Sequence, residues 1–274
     1  MTAGFFIERL LAYRLDVYIL MFLLFMVTPR AGEGPGPLIF VLASCFTAIM
    51  AFVYLINKTT DTQEDGINHS AGPIARSSIP LVQVGAWTLG ILGFLVLALL
   101  TLNPAFLVLY AVVALLGVLY SYPLTVFGWT RRCKQIPIIK TSISTLIWIL
   151  PPVASYMIYL GEIRPREVWL LVLFGGLFAA MEICWDIRDV RGDAQSDVRT
   201  IPVVFGVMAA KVIALLLIAL ATFAGYMLSL NVFSVLGIIA SISVILIARE
   251  GRPWWLYHAI VVAWILLLAL YYVQ

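Results

Sequence analysis

The sequence predicts an all-α membrane protein, a bundle of nine transmembrane helices, and three observations support this fold class. Of the 274 residues, 63% are hydrophobic and only 11% are charged, whereas soluble domains carry about 25% charged residues. The apolar residues form runs of roughly 20, the length of helix that crosses a hydrocarbon core of about 30 Å. These runs lack the alternating pattern of about 10-residue segments that marks outer-membrane barrels. A water-soluble fold is therefore excluded.

Nine apolar runs follow one another along the chain, separated by polar or Gly/Pro-rich segments. They cover 14–29, 37–56, 81–100, 104–121, 136–159, 167–184, 203–229, 231–248 and 255–273. No intervening segment is long enough for a separate domain, so residues 1–274 are expected to form a single domain. Segment 1–11 contains charged residues and no small-residue cleavage site, which predicts a cytosolic leader rather than a signal peptide.

Basic residues are distributed unequally between the loops. Of the 17 Lys and Arg residues, 14 lie in the N-terminus and the even-numbered loops, and 3 lie on the other side. Because short cytoplasmic loops are enriched in Lys and Arg, the N-terminus and all long polar loops are predicted to be cytoplasmic. An odd number of spans then places Gln274 on the opposite side of the membrane.

The first acidic motif follows the second span. It consists of Asn57, Asp61 and Asp65 at positions i, i+4 and i+8. On an α-helix this spacing drifts by only about 40° per step. The three side chains are therefore predicted to share one face at the cytoplasmic end of the span.

The second acidic motif follows the sixth span. Asp186, Asp189 and Asp193 are spaced at i, i+3 and i+7, and Glu182 precedes them by one turn. On a helix these four side chains would cover an arc of about 60°. Glu182 would lie inside the membrane, where a carboxylate is expensive unless it is paired or functional. It could act as an acceptor base, support a metal ligand or pair with an arginine.

Oxygen ligands in this arrangement suit Mg²⁺, which takes one or two carboxylates and completes its shell with water and substrate phosphates. Six crowded acceptor groups at a membrane boundary also need cations or protons to neutralise them. A single Asp at such a place more often caps a helix end. Two helically phased triads on one membrane face favour a metal site instead.

The two motifs resemble the paired signature of the UbiA superfamily of intramembrane prenyltransferases. That signature places N-x-x-x-D-x-x-x-D after the second helix and D-x-x-D-x-x-x-D after the sixth, and the family has nine helices. The flanking sequences Asp65-Gly-Ile-Asn68 and Arg199-Thr200-Ile-Pro202 are also similar to the family pattern. The form of the second motif looks more like the branch of chlorophyll synthases, homogentisate prenyltransferases and digeranylgeranylglyceryl phosphate synthases.

The resemblance implies an enzyme that transfers a prenyl group from an isoprenoid diphosphate to a lipophilic or aromatic acceptor in the lipid bilayer. Two Mg²⁺ ions would grip the diphosphate, one held by the first motif and the other by the second. No nucleic-acid partner is expected. Lys58, Thr62 and Gly72 depart from the family pattern around the first motif. The resemblance therefore does not assign the residues of that loop that contact the diphosphate.

The family also has a tyrosine and a basic residue after the fourth helix, which here imply Tyr120 or Tyr122 and Lys134 as catalytic residues. A tyrosine face can stabilise an allylic carbocation, although membrane tyrosines more often form an interfacial belt. Substrate contacts are expected from Arg14, Lys58, Arg132, Lys134 and Arg199. Each of these could equally be a cytoplasmic anchor, and Arg14 could snorkel to the interface.

Two other functions share some of these features. A terpene cyclase of the same superfamily would use the same metal motifs and differ in the shape of its pocket. A cation-coupled transporter would carry charges at mid-bilayer, broken helices and internal repeats, whereas the charges here gather at one membrane face.

Overall fold

The computed structural model describes residues 14–28, 36–67, 76–126, 129–136, 138–229 and 231–273. Within these ranges the chain is a helical bundle with one two-stranded antiparallel hairpin. The helices are α1 (Leu15–Val27), α2 (Pro37–Thr60), α3 (Thr62–Ile67), α4 (Ile79–Thr101), α5 (Pro104–Ser121), α6 (Ile139–Ile149), α7 (Ser155–Leu160), α8 (Pro165–Gln195), α9 (Ile201–Phe205), α10 (Val207–Met227), α11 (Asn231–Leu246) and α12 (Trp254–Val273). The strands are β1 (Leu124–Val126) and β2 (Trp129–Arg131).

Every predicted apolar run contains helix, so the all-helical class is confirmed. In the described part of the chain, six helical segments have the length and apolarity to cross a membrane. They are Pro37–Thr60, Ile79–Thr101, Pro104–Ser121, Ile139–Leu160, Pro165–Gln195 and Val207–Met227. Two shorter apolar stretches, Leu15–Met26 and Trp255–Trp264, accompany them.

The outer surface of the bundle is apolar. Leu81 and Leu99 of α4 and Met208 of α10 are each 75% exposed. Large apolar patches of this kind are rare on soluble monomers. In a membrane, by contrast, the bundle is surrounded by lipid chains that are as apolar as its own outer side chains. The exposed surface therefore suits contact with lipid.

Local chemistry sets several helix ends. Before α5, the Asn103 side chain accepts a hydrogen bond from the Ala105 backbone N–H at 2.9 Å, and Pro104 occupies the first helical position. This is a favourable start, because the side-chain oxygen satisfies a free backbone donor and proline needs none. At the end of α7, Gly161 adopts φ 72°, the left-handed conformation that commonly terminates helices.

The fifth predicted span is interrupted. Between α6 and α7, residues Leu150–Ala154 form a π-helical segment that contains Pro151 and Pro152. Proline removes a backbone donor and clashes with the preceding turn, so it distorts a helix interior. The apolar run from 136 to 159 is therefore one span in hydropathy but two helices in structure.

Helix α8 extends beyond the sixth predicted span. The apolar run ends at residue 184, but the helix continues to Gln195 and is 31 residues long. At 1.5 Å per residue it measures about 46 Å, more than the roughly 30 Å of a hydrocarbon core. The second acidic motif therefore lies on a continuous helix that projects from the apolar layer.

Small residues allow close packing of α8 on α10. A methyl group added at Gly176 would lie 2.6 Å from the Leu217 carbonyl oxygen and 3.0 Å from the Ala221 side chain. The neighbouring Gly175 is different, since its added methyl group would meet only Ile149, at 3.6 Å. Gly176 is therefore the glycine that this helix pair requires.

Gly176→Ala is expected to lower the free energy of unfolding by about 1–3 kcal/mol, because α8 and α10 must separate to accommodate the methyl group. Thermal unfolding in detergent would measure the change. Gly175→Ala is the matched control and should leave the unfolding temperature the same or raise it. Equal loss of stability in the two variants would contradict this packing.

The first and last long helices also meet, because α1 packs against both α2 and α12. The hairpin of β1 and β2 and the 3₁₀ turn at Cys133–Gln135 lie between α5 and α6. The segment between α5 and α6 is therefore a folded loop. It brings Lys134 into the protein, where the residue is 2% exposed.

Candidate active site

A cavity of about 180 Å³ lies between the polar ends of α2, α3 and α8. Both acidic motifs contribute to its wall. The lining comprises Arg14, Val53, Tyr54, Asn57, Lys58, Asp61, Glu64, Asp65, Tyr120, Lys134, Lys140, Ser144, Ile147, Glu182, Trp185, Asp186, Arg188, Asp189, Asp193 and His258. Groups from six helices and one loop therefore converge on one space.

The first motif reaches this cavity across a break in the helix. Asn57 belongs to the last turn of α2, Asp61 is the residue after that helix, and Asp65 lies in α3. The Asp65 backbone N–H donates to the Asp61 carbonyl oxygen at 2.8 Å, which maintains a helix-like turn. The single helical face predicted for this motif is therefore built from two helices.

The carboxylates of the first motif and the neighbouring Glu64 are held by one buried and two half-buried basic residues. Lys134 Nζ donates to Asp61 and, at 2.6 Å, to Glu64. Arg132 contacts the same two carboxylates at 3.2 and 2.5 Å, and Lys58 donates to Asp65 at 2.6 Å. Because the acceptors are mostly withdrawn from water, these charged hydrogen bonds offset their desolvation.

The two carboxylates that share Lys134 respond differently to their surroundings. Burial raises the pKa of Asp61, and the nearby lysine opposes this only in part. Burial acts in the same direction on Glu64, but Lys134 and Arg132 together outweigh it and lower the pKa of that group. Glu64 is thus the more firmly ionised member of the pair.

The second motif is a continuous stripe on α8. Asp186 and Asp193 are 2% and 4% exposed, and Lys140 bridges them at 2.7 and 3.3 Å. Asp189 instead receives two hydrogen bonds from its neighbour Arg188, at 2.7 and 2.5 Å. The helical phasing predicted for this motif matches its position along one side of the cavity.

The residues present fit a divalent cation. Carboxylate and amide oxygens are hard ligands that suit Mg²⁺. Within the described ranges, Asp186 Oδ2 is buried without a hydrogen-bond partner, a costly state for an anionic oxygen that a cation would relieve. In those same ranges, no three His, Cys, Asp or Glu residues are grouped closely enough to hold an ion as they stand. The carboxylates engage lysine and arginine instead.

The remaining predicted residues divide into two groups. Tyr120 and Arg14 line the cavity, and the Arg14 guanidinium lies over the rings of Tyr54 and Trp185, at 5.1 and 4.8 Å. Tyr122 is the residue after α5 and does not line the cavity. Arg199 also lies outside it, exposed in the turn after α8.

Four acidic, basic or histidine residues of the cavity were not selected from the sequence. Glu64 follows Asp61 by three residues and carried a local signal, its helical spacing. Arg188 lies within the second motif, but its pairing with Asp189 depends on the rotamers of both side chains. Lys140 and His258 carried no local signal, because each is an isolated polar residue near the beginning of an apolar run. Only the packing of the helices brings them to the acidic motifs.

A second cavity, of about 700 Å³, lies behind α6 and α8 and is almost wholly apolar. Its walls include Thr145, Ile183 and Leu217. Thr145 belongs to α6, Ile183 to α8 and Leu217 to α10. The predicted site residues all lie outside it.

Comparison with known proteins identifies a family and solved structures that resemble this chain. The family model of the UbiA prenyltransferase family matches residues 17–274. Two solved structures of a UbiA homologue from Archaeoglobus fulgidus, one bound to DMAPP and Mg²⁺ and one bound to GPP and Mg²⁺, superpose with TM-scores of 0.67 and 0.70. They are 17% and 18% identical to this chain, cover 97% of it in both cases, and are themselves covered to 98% and 97%.

A solved digeranylgeranylglyceryl phosphate synthase structure is more distant, with a TM-score of 0.55 and 16% identity over 93% of this chain and 88% of that one. A search of curated proteins found no match. The fold and the acidic cavity define a membrane-embedded prenyltransferase. The chain belongs to the UbiA prenyltransferase family, and the resemblance drawn from its paired motifs is confirmed.

Lys134→Met is expected to lower the free energy of unfolding by about 3 kcal/mol, because it leaves Asp61 and Glu64 buried with fewer cations. Added Mg²⁺ should restore part of this loss by supplying positive charge to the same oxygens. Thermal unfolding in detergent, with and without Mg²⁺, would measure both effects.

The matched control is Arg164→Met. Arg164 forms an ion pair with Glu162 in which both side chains are largely exposed. Its loss should cost less than about 1 kcal/mol. An equal effect of the two substitutions, or no response of Lys134→Met to Mg²⁺, would contradict the electrostatic role of Lys134.

Proposed function

We propose that this UbiA-family protein transfers a prenyl group from an isoprenoid diphosphate to a lipophilic or aromatic acceptor, with release of diphosphate. The observation that carries the proposal is the convergence of both acidic motifs, the buried Lys134 and the half-buried Lys140 on one cavity. Such a site offers ligands for cations and direct donors for phosphate oxygens. The Archaeoglobus fulgidus homologue, whose structures contain DMAPP or GPP with Mg²⁺, supports a prenyl diphosphate as the donor.

We assign one Mg²⁺ ion to the first motif and one to the second. The ligands of the first would be Asn57, Asp61 and Asp65, and those of the second Asp186, Asp189 and Asp193. When bound, the metal supplies Lewis-acid neutralisation of the diphosphate leaving group. The residues of the two motifs line the same cavity and would hold this positive charge there.

The basic residues have a separate role in the proposal. Lys134 and Lys140 are now held by the carboxylates of the first and second motif, respectively. With metal on the carboxylates, the ammonium groups would become available to the phosphate oxygens. Lysine acts there as a compact point charge and arginine as a bidentate donor. Lys58 and Arg132 are placed for the same task at the first motif.

The inner part of the cavity is aromatic and apolar. Val53, Tyr54, Ile147 and Trp185 line it together with Tyr120. These side chains offer the allylic part of a prenyl chain an apolar surface. The face of Tyr120 would stabilise the positive charge that develops on the allyl group when its C–O bond breaks.

The membrane orientation belongs to the same proposal. Nine crossings with a cytoplasmic N-terminus would place both motifs at the cytoplasmic face, where the basic residues of the sequence gather. The C-terminus would then lie on the opposite side. Prenyl chains could reach the cavity laterally from the bilayer, since both are apolar.

Asp61→Asn and Asp189→Asn are each expected to lower the rate of diphosphate release at least 100-fold, a loss of about 2.7 kcal/mol in transition-state stabilisation. The protein would be purified into lipid nanodiscs and supplied with geranyl or geranylgeranyl diphosphate, Mg²⁺ and a panel of acceptors. Released diphosphate and organic products would be followed together. EDTA should abolish the release, and Mg²⁺ should restore it.

Asp197→Asn is the matched control for these two variants. Asp197 is exposed in the turn after α8, with φ 54°, a conformation that asparagine tolerates. Its replacement should leave the rate unchanged. Persistent release in Asp61→Asn and Asp189→Asn would overturn the metal assignment, and a cyclic hydrocarbon formed without acceptor would identify a cyclase instead.

Substitutions at the two candidate tyrosines separate their roles. Tyr120→Leu is expected to lower the rate by about 10- to 30-fold, because a cation–π interaction contributes roughly 1–2 kcal/mol when desolvated. Tyr120→Phe, which retains the ring, should lose much less. Tyr122→Leu should have a smaller effect than Tyr120→Leu, since its ring lies outside the cavity. The reverse order in steady-state kinetics would assign the catalytic role to Tyr122.

A further inference from the structure

A buried histidine–carboxylate pair joins the first and last helices of the bundle. His258 Nδ1 of α12 and Asp16 Oδ2 of α1 are 2.5 Å apart, and both residues are almost completely buried. The pair links residues separated by 242 positions in the chain. Neither residue belongs to the acidic motifs, and the proposed metal chemistry uses neither of them.

The pair lies at the wall of the active-site cavity. His258 lines that cavity, and its ring makes an edge contact with Trp185, with centroids 5.3 Å apart. Charged side chains surround the pair. Arg14, the residue before α1, lies over the rings of Tyr54 and Trp185, and Glu182 and Arg188 of α8 line the same space.

The chemistry of prenyl transfer leaves a proton to be removed. When a hydroxyl oxygen or an aromatic carbon of the acceptor attacks the allylic carbon, the acceptor becomes cationic and must lose H⁺ to give a stable product. The carboxylates of the two motifs are engaged with cations, so they are poor bases. A neutral imidazole is the side chain best suited to this step near pH 7.

We propose that His258 is the general base that accepts the proton of the acceptor, with Asp16 as its positioning residue. The inference rests on the proposed transfer function and deepens it. The prenyl C–O bond breaks and releases diphosphate, a bond forms between the acceptor and the allylic carbon, and the acceptor proton passes to His258 Nε2. The acceptor is therefore a molecule with a hydroxyl group or an activated aromatic C–H.

Asp16 gives the histidine the tautomer that this step needs. With the Nδ1–H donated to the carboxylate, Nε2 is the acceptor nitrogen of the neutral ring. The carboxylate then stabilises the imidazolium ion that forms after proton transfer. The oxygen of Asp16 that contacts His258 Nδ1 is Oδ2, and this contact orients the imidazole ring.

Glu182 is the competing candidate. It lies one helical turn before Asp186 on the same stripe of α8, close to the proposed metal ligands and the departing diphosphate. His258 projects from a different helix and contacts Trp185 rather than the acidic motifs. This separation from the proposed metal ligands favours His258 over Glu182 as the base.

The test compares two rates in the same reaction, diphosphate release and acceptor prenylation, for the full-length protein in nanodiscs. The probes are geranylgeranyl diphosphate with Mg²⁺ and two acceptors, homogentisate and geranylgeranylglyceryl phosphate. His258→Gln is expected to lower the ratio of prenylated product to released diphosphate by about 100-fold, the size of a general-base contribution. Asp16→Asn should lower kcat for prenylation with little change in the KM for the donor.

Chemical rescue separates a catalytic role from a structural one. In His258→Ala, added imidazole should restore prenylation, and the less basic 1,2,4-triazole should restore it less. The matched control is Tyr110→Phe, which removes another buried interhelical hydrogen bond, the 2.9 Å bond from Tyr110 to the Gly90 carbonyl oxygen. This variant should keep the wild-type product ratio and show no response to azoles.

Each contrary result has a defined meaning. A wild-type product ratio in His258→Gln, or equal rescue of His258→Ala by both azoles, would overturn the role of His258 and leave the proposed function intact. Diphosphate release without prenylation of either acceptor would overturn the assigned acceptor class. Failure of the wild-type protein to release diphosphate would overturn the proposed function and, with it, this inference.

Discussion

The burial of carboxylates at the boundary of an apolar bundle is the constraint on which the rest of this structure depends. A charged group removed from water is tolerated only when a counter-charge and hydrogen bonds replace its hydration. The protein meets this requirement with Lys134 at the first motif and Lys140 at the second. Divalent cations and a polyanionic substrate would meet the same requirement. The positive charge that stabilises the buried carboxylates in the fold is therefore of the kind that the proposed reaction would also use.

The scaffold is arranged to hold these charges in place. Helix α8 is long enough to cross the apolar layer and still present three aspartates beyond it, and its glycine contact with α10 fixes its position. The loop after α5 folds into a hairpin and a 3₁₀ turn, which brings Lys134 to the first motif. Structural elements that are remote in sequence thus supply the counter-charges of both motifs.

The acidic motifs could be predicted because helical periodicity is a local property. Spacings of three and four residues place side chains on one face, and this held for the second motif along α8. For the first motif, α2 ends just before Asp61, and Asp65 lies on the next helix, α3. Tyr122 and Arg199 lie in the loops that the motifs indicated but do not line the cavity, because position in a loop does not fix the distance to residues of other helices.

The sequence by itself determined the membrane class, the order of the helices and the two acidic motifs, because apolar length and helical phase depend only on neighbouring residues. The tertiary structure alone decided which cations meet which carboxylates and that His258 lies beside Asp16. These contacts join residues up to 242 positions apart. The packing of whole helices sets such distances, and no local pattern in the chain encodes them.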